Sequence, residues 1–349
     1  MTEGVTRVLI ADDSPTLRRA LRALLGADPR FAVVGEAEDG EEAVQLAKKL
    51  RPDLITVDVL MPRLDGLGAT ERIMSEAPTR IVVVSQLAAT QEDLAVRALA
   101  AGALALVAKP QVRTGADLDA WGAQVRDTVR LMSEVPVVTR HASRAPHLAP
   151  APAGPAARAG PLKAFGLVAS TGGPQVLAEI LAPLPRGLPV PLLVAQHIAD
   201  GFGRGLVRWF TDVSQLVIEV AVHGERAQAG HVYLAPDGCD LELGEGEVLL
   251  TKASKGHYRP SGDLLLASLA KVLGARAGGI VLSGMGEDGA RGLLALRRAG
   301  GLTFAQDEAS CVVWGMPRAA VQLDAAEVTL APTEVGRALV AACAGGFEG

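Results

Sequence analysis

The stretch Phe165-Gly166-Leu167-Val168-Ala169-Ser170-Thr171-Gly172-Gly173-Pro174 is an apolar run that ends in small residues, and a helical pattern over 175–181 follows it. This order predicts a buried strand, a tight turn and a helix, which are the units of an α/β sheet. Ser170 would stand at the corner, with its hydroxyl exposed beside the unpaired N–H groups of the helix start. Such a serine can be a nucleophile, but a plain turn, an N-cap or a phosphate-binding loop has the same composition. The stretch lacks the Gly-x-Ser-x-Gly form of the hydrolase elbow, so these alternatives stay open.

The composition is that of a globular protein with two domains. The chain has 349 residues, 49% of them hydrophobic, with 3% aromatic residues and a formal net charge of −5. This supplies enough apolar material for two cores, whereas a nucleic-acid-binding surface needs clustered Lys and Arg. No apolar run reaches the ~18 residues of a membrane span, and residues 1–7 lack a signal-peptide pattern. We therefore expect a cytoplasmic protein that does not insert into the membrane and does not bind nucleic acid.

The N-terminal part alternates short apolar runs with amphipathic helical patterns. Continuous apolar strands separated by such helices predict a parallel sheet covered on both faces, that is, a doubly wound, flavodoxin-like α/β domain over residues 5–132. The predicted strands are 8–11, 32–35, 54–58, 81–85 and 103–107, and the predicted helices are 16–25, 41–50, 66–75 and 91–101.

Polar residues stand at the carboxyl ends of these strands, where the functional crevice of such a sheet lies. Asp12 and Asp13 follow the first strand and Asp58 ends the third; we refer to these three as the acidic cluster. Ser85 ends the fourth strand and Lys109 lies just beyond the fifth. Three carboxylates that face one crevice repel one another unless a cation joins them, and oxygen ligands at that charge density favour Mg²⁺. Each residue alone could be a simple loop residue, but together they predict a magnesium site.

These residues, together with 61–66 (Met-Pro-Arg-Leu-Asp-Gly) and Lys109-Pro110, resemble the receiver domain of bacterial response regulators. The resemblance implies that Asp58 accepts a phosphoryl group from a chemosensory histidine kinase and that the acidic cluster holds Mg²⁺. It further implies that Ser85 and Lys109 contact the phosphoryl oxygens, and charge neutralisation by metal and lysine suits that transfer. Leu106 stands where receivers usually carry an aromatic switch residue. We therefore expect coupling through aromatic rotation to be weakened.

Residues 133–161 are rich in proline and alanine and have no apolar period. Repeated proline favours extended polyproline II structure over a packed element, so this segment is predicted to be a linker. His141 and His147 lie in it and are too far apart to favour a metal site.

A second α/β domain, with a mostly parallel sheet and antiparallel hairpins, is predicted over residues 162–346. The predicted parallel strands are 166–169, 191–196, 217–222 and 279–283. Segments 231–235 and 241–252 are expected to form the hairpins, because turn signals at Asp237-Gly238 and Gly244-Glu245-Gly246 adjoin them.

Three residues of this domain have the chemistry of a catalytic triad. Ser170, His197 and Asp288 each follow a predicted parallel strand, so their side chains meet if those strands are neighbours. The histidine would take the serine proton, and the acid would fix the tautomer and stabilise the imidazolium. The other histidines of the domain, His223, His231 and His257, are predicted to be surface or hairpin residues.

The motif around Asp288 also has a rival interpretation. Gly284-x-Gly286-x-x-Gly289 follows an apolar strand, opens a helix, and is followed by Asp307 and Glu308 near the next strand end. This meets the test for a dinucleotide fingerprint and would indicate a nicotinamide-dependent oxidoreductase. That hypothesis leaves Ser170 and His197 without a role.

Motifs spread over the whole second domain resemble the chemotaxis protein-glutamate methylesterases. They occupy residues 169–173, 196–197, 230–236, 259–261, 283–290 and 305–317. The resemblance implies hydrolysis of glutamate γ-methyl esters on the cytoplasmic domain of methylated chemoreceptors, with release of methanol, and in many members deamidation of receptor glutamines. It makes Ser170 the nucleophile, His197 the general base and Asp288 its orienting acid, with the Met285 amide as a candidate oxyanion donor.

Together the two resemblances imply a phosphorylation-activated serine esterase that gives receptor adaptation in a two-component pathway. No cofactor is expected for the ester chemistry itself. The alternative from another class is a receiver-linked adaptor without catalytic activity, and the complete triad is the feature that speaks against it.

Overall fold

The computed structural model describes residues 5–86, 89–110, 115–135, 161–256 and 258–343. They form two compact units, one on either side of residues 136–160. Most of the predicted linker, with His141 and His147, and also His257, lies outside the described residues. Within the described ranges, no helix combines the length and the apolar character that crossing a membrane requires.

The N-terminal unit is the predicted doubly wound α/β domain. Its elements are β1 (Thr6–Ala11), α1 (Pro15–Gly26), β2 (Phe31–Ala37), α2 (Gly40–Leu50), β3 (Leu54–Val57), α3 (Gly66–Glu76), β4 (Arg80–Ser85), α4 (Ala89–Ala100), β5 (Ala105–Ala108) and α5 (Gly115–Glu134). All strand pairs are parallel, in the order β2-β1-β3-β4-β5. The order reverses between β1 and β3, so a crevice opens at the carboxyl ends of these two strands.

Side-chain caps fix where α1, α2 and α3 begin. The Ser14 hydroxyl accepts the N–H of Leu17 at the start of α1, and Asp39 and Asp65 cap α2 and α3 in the same way. Each cap satisfies a backbone donor that has no partner within the helix. The loop after β1 is therefore short and fixed, which holds Asp12 and Asp13 at the edge of the sheet.

The C-terminal unit contains nine strands and six α-helices among its described residues. They are β6 (Ala164–Ala169), α6 (Gly173–Leu181), β7 (Leu192–Gln196), α7 (Gly203–Val213), β8 (Val217–Val220), β9 (His231–Leu234), β10 (Cys239–Gly244), β11 (Val248–Ala253), α8 (Gly262–Leu273), β12 (Ala277–Val281), α9 (Ala290–Arg298), β13 (Leu302–Gln306), α10 (Met316–Gln322), β14 (Val328–Leu330) and α11 (Pro332–Cys343). Seven strands form one parallel sheet in the order β14-β13-β12-β6-β7-β9-β8.

Strand β6 occupies the centre of this sheet. Ala169 pairs with Gln196 of β7, and Val168 pairs with Val281 of β12. The chain leaves β6 toward β7 and later returns to its other side as β12, so the strand order reverses at β6. A ligand-binding crevice is expected at such a point, outside the carboxyl ends of the strands.

One predicted hairpin is confirmed and the other is wrong. Strands β10 and β11 pair antiparallel as predicted, and Leu241 and Leu243 bury their side chains in the core with α8. Segment 231–235 instead forms β9, which pairs parallel with both β7 and β8. Val232, Tyr233 and Leu234 are all buried, as a strand with both faces covered requires. The turn at Asp237-Gly238 leads out of the large sheet instead of closing a hairpin.

The close approach of Gly66 to the residues after β3 gives a test of the N-terminal fold. A Cβ at position 66 would overlap the Asp58 carbonyl oxygen and lie 2.8 Å from the Val59 Cα, and both are backbone atoms. We expect Gly66→Ala to destabilise this unit by roughly 1–3 kcal/mol, because the backbone beside Asp58 must shift. Hydrogen exchange of the β3 amides in the full chain would measure the loss.

The matched control is Gly26→Ala. A Cβ there has no neighbouring atom within 4 Å, so this variant should exchange like the wild type. Equal protection of β3 in both variants would mean that the backbone around Asp58 yields to the extra methyl group.

Candidate active site and receiver site

The acidic cluster forms in the crevice of the N-terminal unit. Carboxylate oxygens of Asp12, Asp13 and Asp58 all lie within 4.8 Å of one another. Asp12 and Asp58 are buried and Asp13 is exposed. The cluster forms because β1 and β3 are neighbours, with Ala11 opposite Val57, so the residues that follow both strands face the same crevice.

Lys109 is the cation that contacts this cluster. Its ammonium lies 2.9 Å from the Asp12 Oδ2 and 2.6 Å from the Asp58 Oδ2. Burial raises the pKa of Asp58 to about 6 against the opposing charge of Lys109, and the nearby Asp12 adds to the rise. The single positive charge of Lys109 does not balance three carboxylates. Their oxygen atoms are the ligands that Mg²⁺ prefers, so the residues present fit this ion.

Ser85 and Lys109 lie at the carboxyl ends of the neighbouring strands β4 and β5. Ser85 is fully buried at the end of β4 and pairs with Ala108, and the Lys109 N–H donates to the Ser85 carbonyl at 2.7 Å. Leu106, on β5, is half-buried opposite Val83. The hydroxyl and the amine therefore follow adjacent strands, while the position of the usual aromatic switch carries an aliphatic side chain.

In the second unit, Ser170, His197 and Asp288 follow β6, β7 and β12, three adjacent strands. The His197 Nε2 lies 2.8 Å from the Asp288 Oδ2, and both side chains are largely buried. The His197 N–H donates to the Ala169 carbonyl at 2.8 Å, which sets the histidine backbone beside the residue that precedes Ser170.

Asp288 accepts hydrogen bonds from the start of α8 as well as from His197. The Gly262 N–H donates at 2.6 Å, the Asp263 N–H at 3.1 Å and the Ser261 hydroxyl at 3.3 Å. Burial by itself raises the pKa of Asp288, but the hydrogen bonds from His197 and these donors outweigh it and hold the pKa below its ordinary value. The helix dipole acts in the same direction. Asp288 is therefore an anion at neutral pH.

This pairing selects one tautomer of His197. An ionised carboxylate only accepts hydrogen bonds, so the contacting Nε2 must carry the proton. In the neutral ring the free lone pair then lies on Nδ1. Among the residues that the structure describes, no hydrogen bond joins the Ser170 hydroxyl to the imidazole. Such bonds often close only when substrate is present.

The backbone around Ser170 is fixed from the neighbouring turns. The Ser170 N–H donates to the Ser283 carbonyl at 3.0 Å, and the Ser283 hydroxyl donates to the Thr171 carbonyl at 2.8 Å. Gly172, the residue that caps α6, has a φ of +75°, a conformation in which a residue with a side chain is strained. The serine corner is thus tied to the turn that follows β12.

The turn after β12 also carries Met285, the candidate oxyanion donor. A Cβ at Gly284 would lie 2.6 Å from the Ser170 Cβ, so this backbone runs directly against the serine. The Met285 side chain is 41% exposed. Its amide therefore belongs to a turn at the serine edge, while its side chain faces outward.

The glycines of the rival dinucleotide motif face protein atoms. A Cβ at Gly284 would overlap the Met316 sulfur, and one at Gly286 would overlap the Tyr258 hydroxyl. Asp307, the expected ribose ligand, accepts the Ser310 N–H at 3.0 Å in a local turn. The close approaches that this motif permits are used for packing within the protein, so the geometry does not favour a dinucleotide site.

Sequence reasoning missed several residues that hold the site together. The Gln196 side chain is buried, and its amide donates to the carbonyls of both Ser170 and His197, at 2.9 and 2.8 Å. Ser261 and Gly262 bind Asp288. Gln196 and Ser261 lie in motifs that carry the family resemblance, but no local pattern predicts their contacts across the fold.

The remaining histidines of the described residues lie apart from the triad. The His223 Nδ1 contacts the Thr251 backbone at 3.1 Å, and the His231 Nδ1 lies 2.7 Å from the Glu219 carboxylate. His223 is exposed, as the sequence predicted, whereas His231 begins β9 of the parallel sheet and not the hairpin that was expected for it.

Comparison with known proteins gives matches over both units. The family model of the response regulator receiver domain matches residues 8–115, and that of CheB methylesterase matches residues 165–339. Protein-glutamate methylesterase/protein-glutamine glutaminase 3 of Myxococcus xanthus (strain DK1622) is 53% identical over 322 residues, which are 92% of this chain and 89% of that protein. Number 4 of the same organism is 45% identical over 99% of both chains. The crystal structure of the Thermotoga maritima CheB methylesterase catalytic domain superposes with a TM-score of 0.50 and 30% identity, over 51% of this chain and 97% of that one.

The raised pKa of Asp58 gives a prediction for the metal-free protein. Between about pH 4 and 6, the folded state keeps a proton on Asp58 that the unfolded state releases. The contribution of this carboxyl to folding stability is therefore complete below about pH 4 and is lost as the pH rises through about 6. Asp58→Asn cannot ionise. In chelator, the variant should therefore gain stability relative to wild type between pH 4 and 6, and the gain should level off above that window at roughly 2–3 kcal/mol.

Calorimetry of the N-terminal transition at pH 5, 6 and 7.5 would measure this difference. The exposed Asp119→Asn serves as control and should show no such trend. Mg²⁺ should reduce the difference in stability between Asp58→Asn and the wild type, because the ion favours the ionised Asp58 carboxylate of the wild type. A difference that is constant with pH would contradict the prediction.

Proposed function

Because this chain belongs to the CheB family of chemotaxis methylesterases, we propose that Ser170, His197 and Asp288 hydrolyse glutamate γ-methyl esters and glutamine amides of chemoreceptors. The protein is a receiver-regulated protein-glutamate methylesterase and protein-glutamine glutaminase. The observation that carries the residue assignment is the 2.8 Å contact of His197 with Asp288 at the strand end beside Ser170.

The first step is attack of the Ser170 hydroxyl on the γ-carbonyl carbon of the ester. His197 takes the hydroxyl proton on Nδ1, since Nε2 is engaged by Asp288. When the tetrahedral intermediate collapses, the bond to the methoxy oxygen breaks and the imidazolium returns the proton to it. Methanol leaves, and the glutamyl group remains esterified to Ser170.

Water completes the reaction. His197 takes a proton from the water as it attacks the acyl-serine, and then returns the proton to the serine oxygen. The products are the free glutamate side chain and the regenerated Ser170. With a glutamine substrate the leaving group is ammonia in place of methanol, and His197 must protonate the nitrogen before the bond breaks.

Asp288 and Met285 supply the electrostatics of these steps. Asp288 stays ionised because α8 donates to it, and it stabilises the imidazolium that forms twice per turnover. The Met285 N–H is the proposed donor to the negatively charged oxygen of both intermediates. A donor at that position contributes roughly 3 kcal/mol to transition-state stabilisation.

The receiver is proposed to control this chemistry. A chemosensory histidine kinase would donate the phosphoryl group to Asp58, with Asp12, Asp13 and Asp58 as the ligands of Mg²⁺ and with Ser85 and Lys109 on the phosphoryl oxygens. When bound, the metal neutralises charge on the transferred group. The receiver over 5–132 and the catalytic domain over 162–346 would be joined by the flexible linker 133–161, and the reaction would take place in the cytoplasm, where the receptor domain presents its esters.

Replacement of the nucleophile tests the assignment against a non-catalytic adaptor. Ser170→Ala should abolish methanol release from methylated receptor fragments and leave folding unchanged, because loss of one hydroxyl at a sheet edge creates almost no cavity. Ser214→Ala, in the loop after α7, is the matched control and should keep full turnover. Near-normal activity of Ser170→Ala would contradict the assignment of Ser170 as the nucleophile. Absence of activity in the wild type would favour the hypothesis of a non-catalytic adaptor.

Regulation gives a second test. Asp58→Asn should block labelling by acetyl phosphate and hold the esterase at its basal rate. Leu106→Tyr should increase the ratio of the phosphorylated to the basal rate, because leucine lacks the packing contribution of an aromatic ring. Ser85→Ala should remove the activation by phosphorylation. If Leu106→Tyr leaves the ratio unchanged while Ser85→Ala abolishes it, the hydroxyl alone carries the signal.

A further inference from the structure

An aromatic ring covers one face of the proposed general base. The Tyr258 ring stacks on the His197 imidazole, with centroids 5.4 Å apart and the two planes 15° from parallel. The Tyr258 hydroxyl reaches the turn after β12, where a Cβ at Gly286 would overlap it. The Tyr258 side chain therefore contacts the histidine with its ring face and the turn that carries Met285 with its hydroxyl end.

The same short segment also binds the acid of the triad. Ser261, Gly262 and Asp263 donate to Asp288 only a few residues after Tyr258. The chain from Tyr258 into the first turn of α8 thus holds Asp288 by hydrogen bonds and His197 by stacking. Asp288 holds a single ring nitrogen, so it does not by itself prevent the imidazole from tilting about that bond.

We propose that Tyr258 is a positioning residue of the esterase, which keeps the His197 ring in the plane that directs Nε2 to Asp288 and Nδ1 to the serine edge. This inference rests on the proposed function of His197 as general base. A flat ring that stacks on the imidazole opposes tilting, and its π-face attracts the imidazolium after proton transfer. The stacked ring carries this role.

The test compares Tyr258→Phe, which keeps the ring, with Tyr258→Leu, which removes it at similar bulk. The full-length protein is labelled with ¹⁵N in its histidine rings, and the His197 signals are assigned by their loss in His197→Ala. The rate of methanol release from a glutamate γ-methyl ester peptide is measured on the same samples, so that kcat and KM are separated.

We expect Tyr258→Phe to show the same Nε2–H tautomer of His197 as the wild type and to keep kcat within about threefold. Tyr258→Leu should give mixed or exchange-broadened His197 signals and lose roughly tenfold or more in kcat with little change in KM, because the base is misplaced and substrate binding is not. If Tyr258→Leu does not fold, Tyr258→Met tests the same loss of the ring.

An unchanged tautomer and kcat in the non-aromatic variant would overturn the proposal. So would a phenylalanine variant as impaired as the leucine one, since the hydroxyl would then be the essential group. If the wild type releases no methanol, the proposed function fails, whereas the ring signals still show whether Tyr258 orients His197.

Discussion

The parallel pairing of β6 with β7 on one side and β12 on the other is the constraint on which the catalytic unit depends. Neighbouring parallel strands end at the same edge of the sheet, so the residues that follow β6, β7 and β12 lie close together. Ser170 and His197 lie beside each other because Ala169 is opposite Gln196, and Gln196 then ties both carbonyls with one amide. A slip of one residue in this register would turn the flanking strand residues to the opposite face and separate the pair.

Two buried aspartates show how the surroundings assign opposite chemistry to one side-chain type. Asp288 is surrounded by N–H and hydroxyl donors, which hold its pKa below the ordinary value. Asp58 shares its crevice with Asp12, and burial raises its pKa to about 6 despite Lys109. The first carboxylate is stable as a permanent anion that can orient a histidine. The second has only Lys109 for two buried carboxylates, and a divalent cation would supply the further positive charge.

Much of this could be read from the chain because the signals are local. Apolar runs with intervening amphipathic helices are properties of short windows, and they located the receiver strands and β6, β7 and β12 to within a few residues. The prediction for 231–235 was wrong because a buried run of four residues has the same pattern in a hairpin as in a parallel sheet. Only pairing partners distinguish the two, and these are remote in sequence.

The sequence by itself determined the two α/β units, the acidic cluster and the residue types available for a triad, since strand ends and polar residues after them are local features. Tertiary structure alone decided which nitrogen of His197 meets Asp288, which donors hold that carboxylate, and that Tyr258 covers the imidazole. Those contacts join residues between 26 and 91 positions apart in the chain, and their geometry depends on how α8 packs at the sheet edge. No periodicity within a helix or strand encodes such a distance, because periodicity reports which face is buried and not what lies against it.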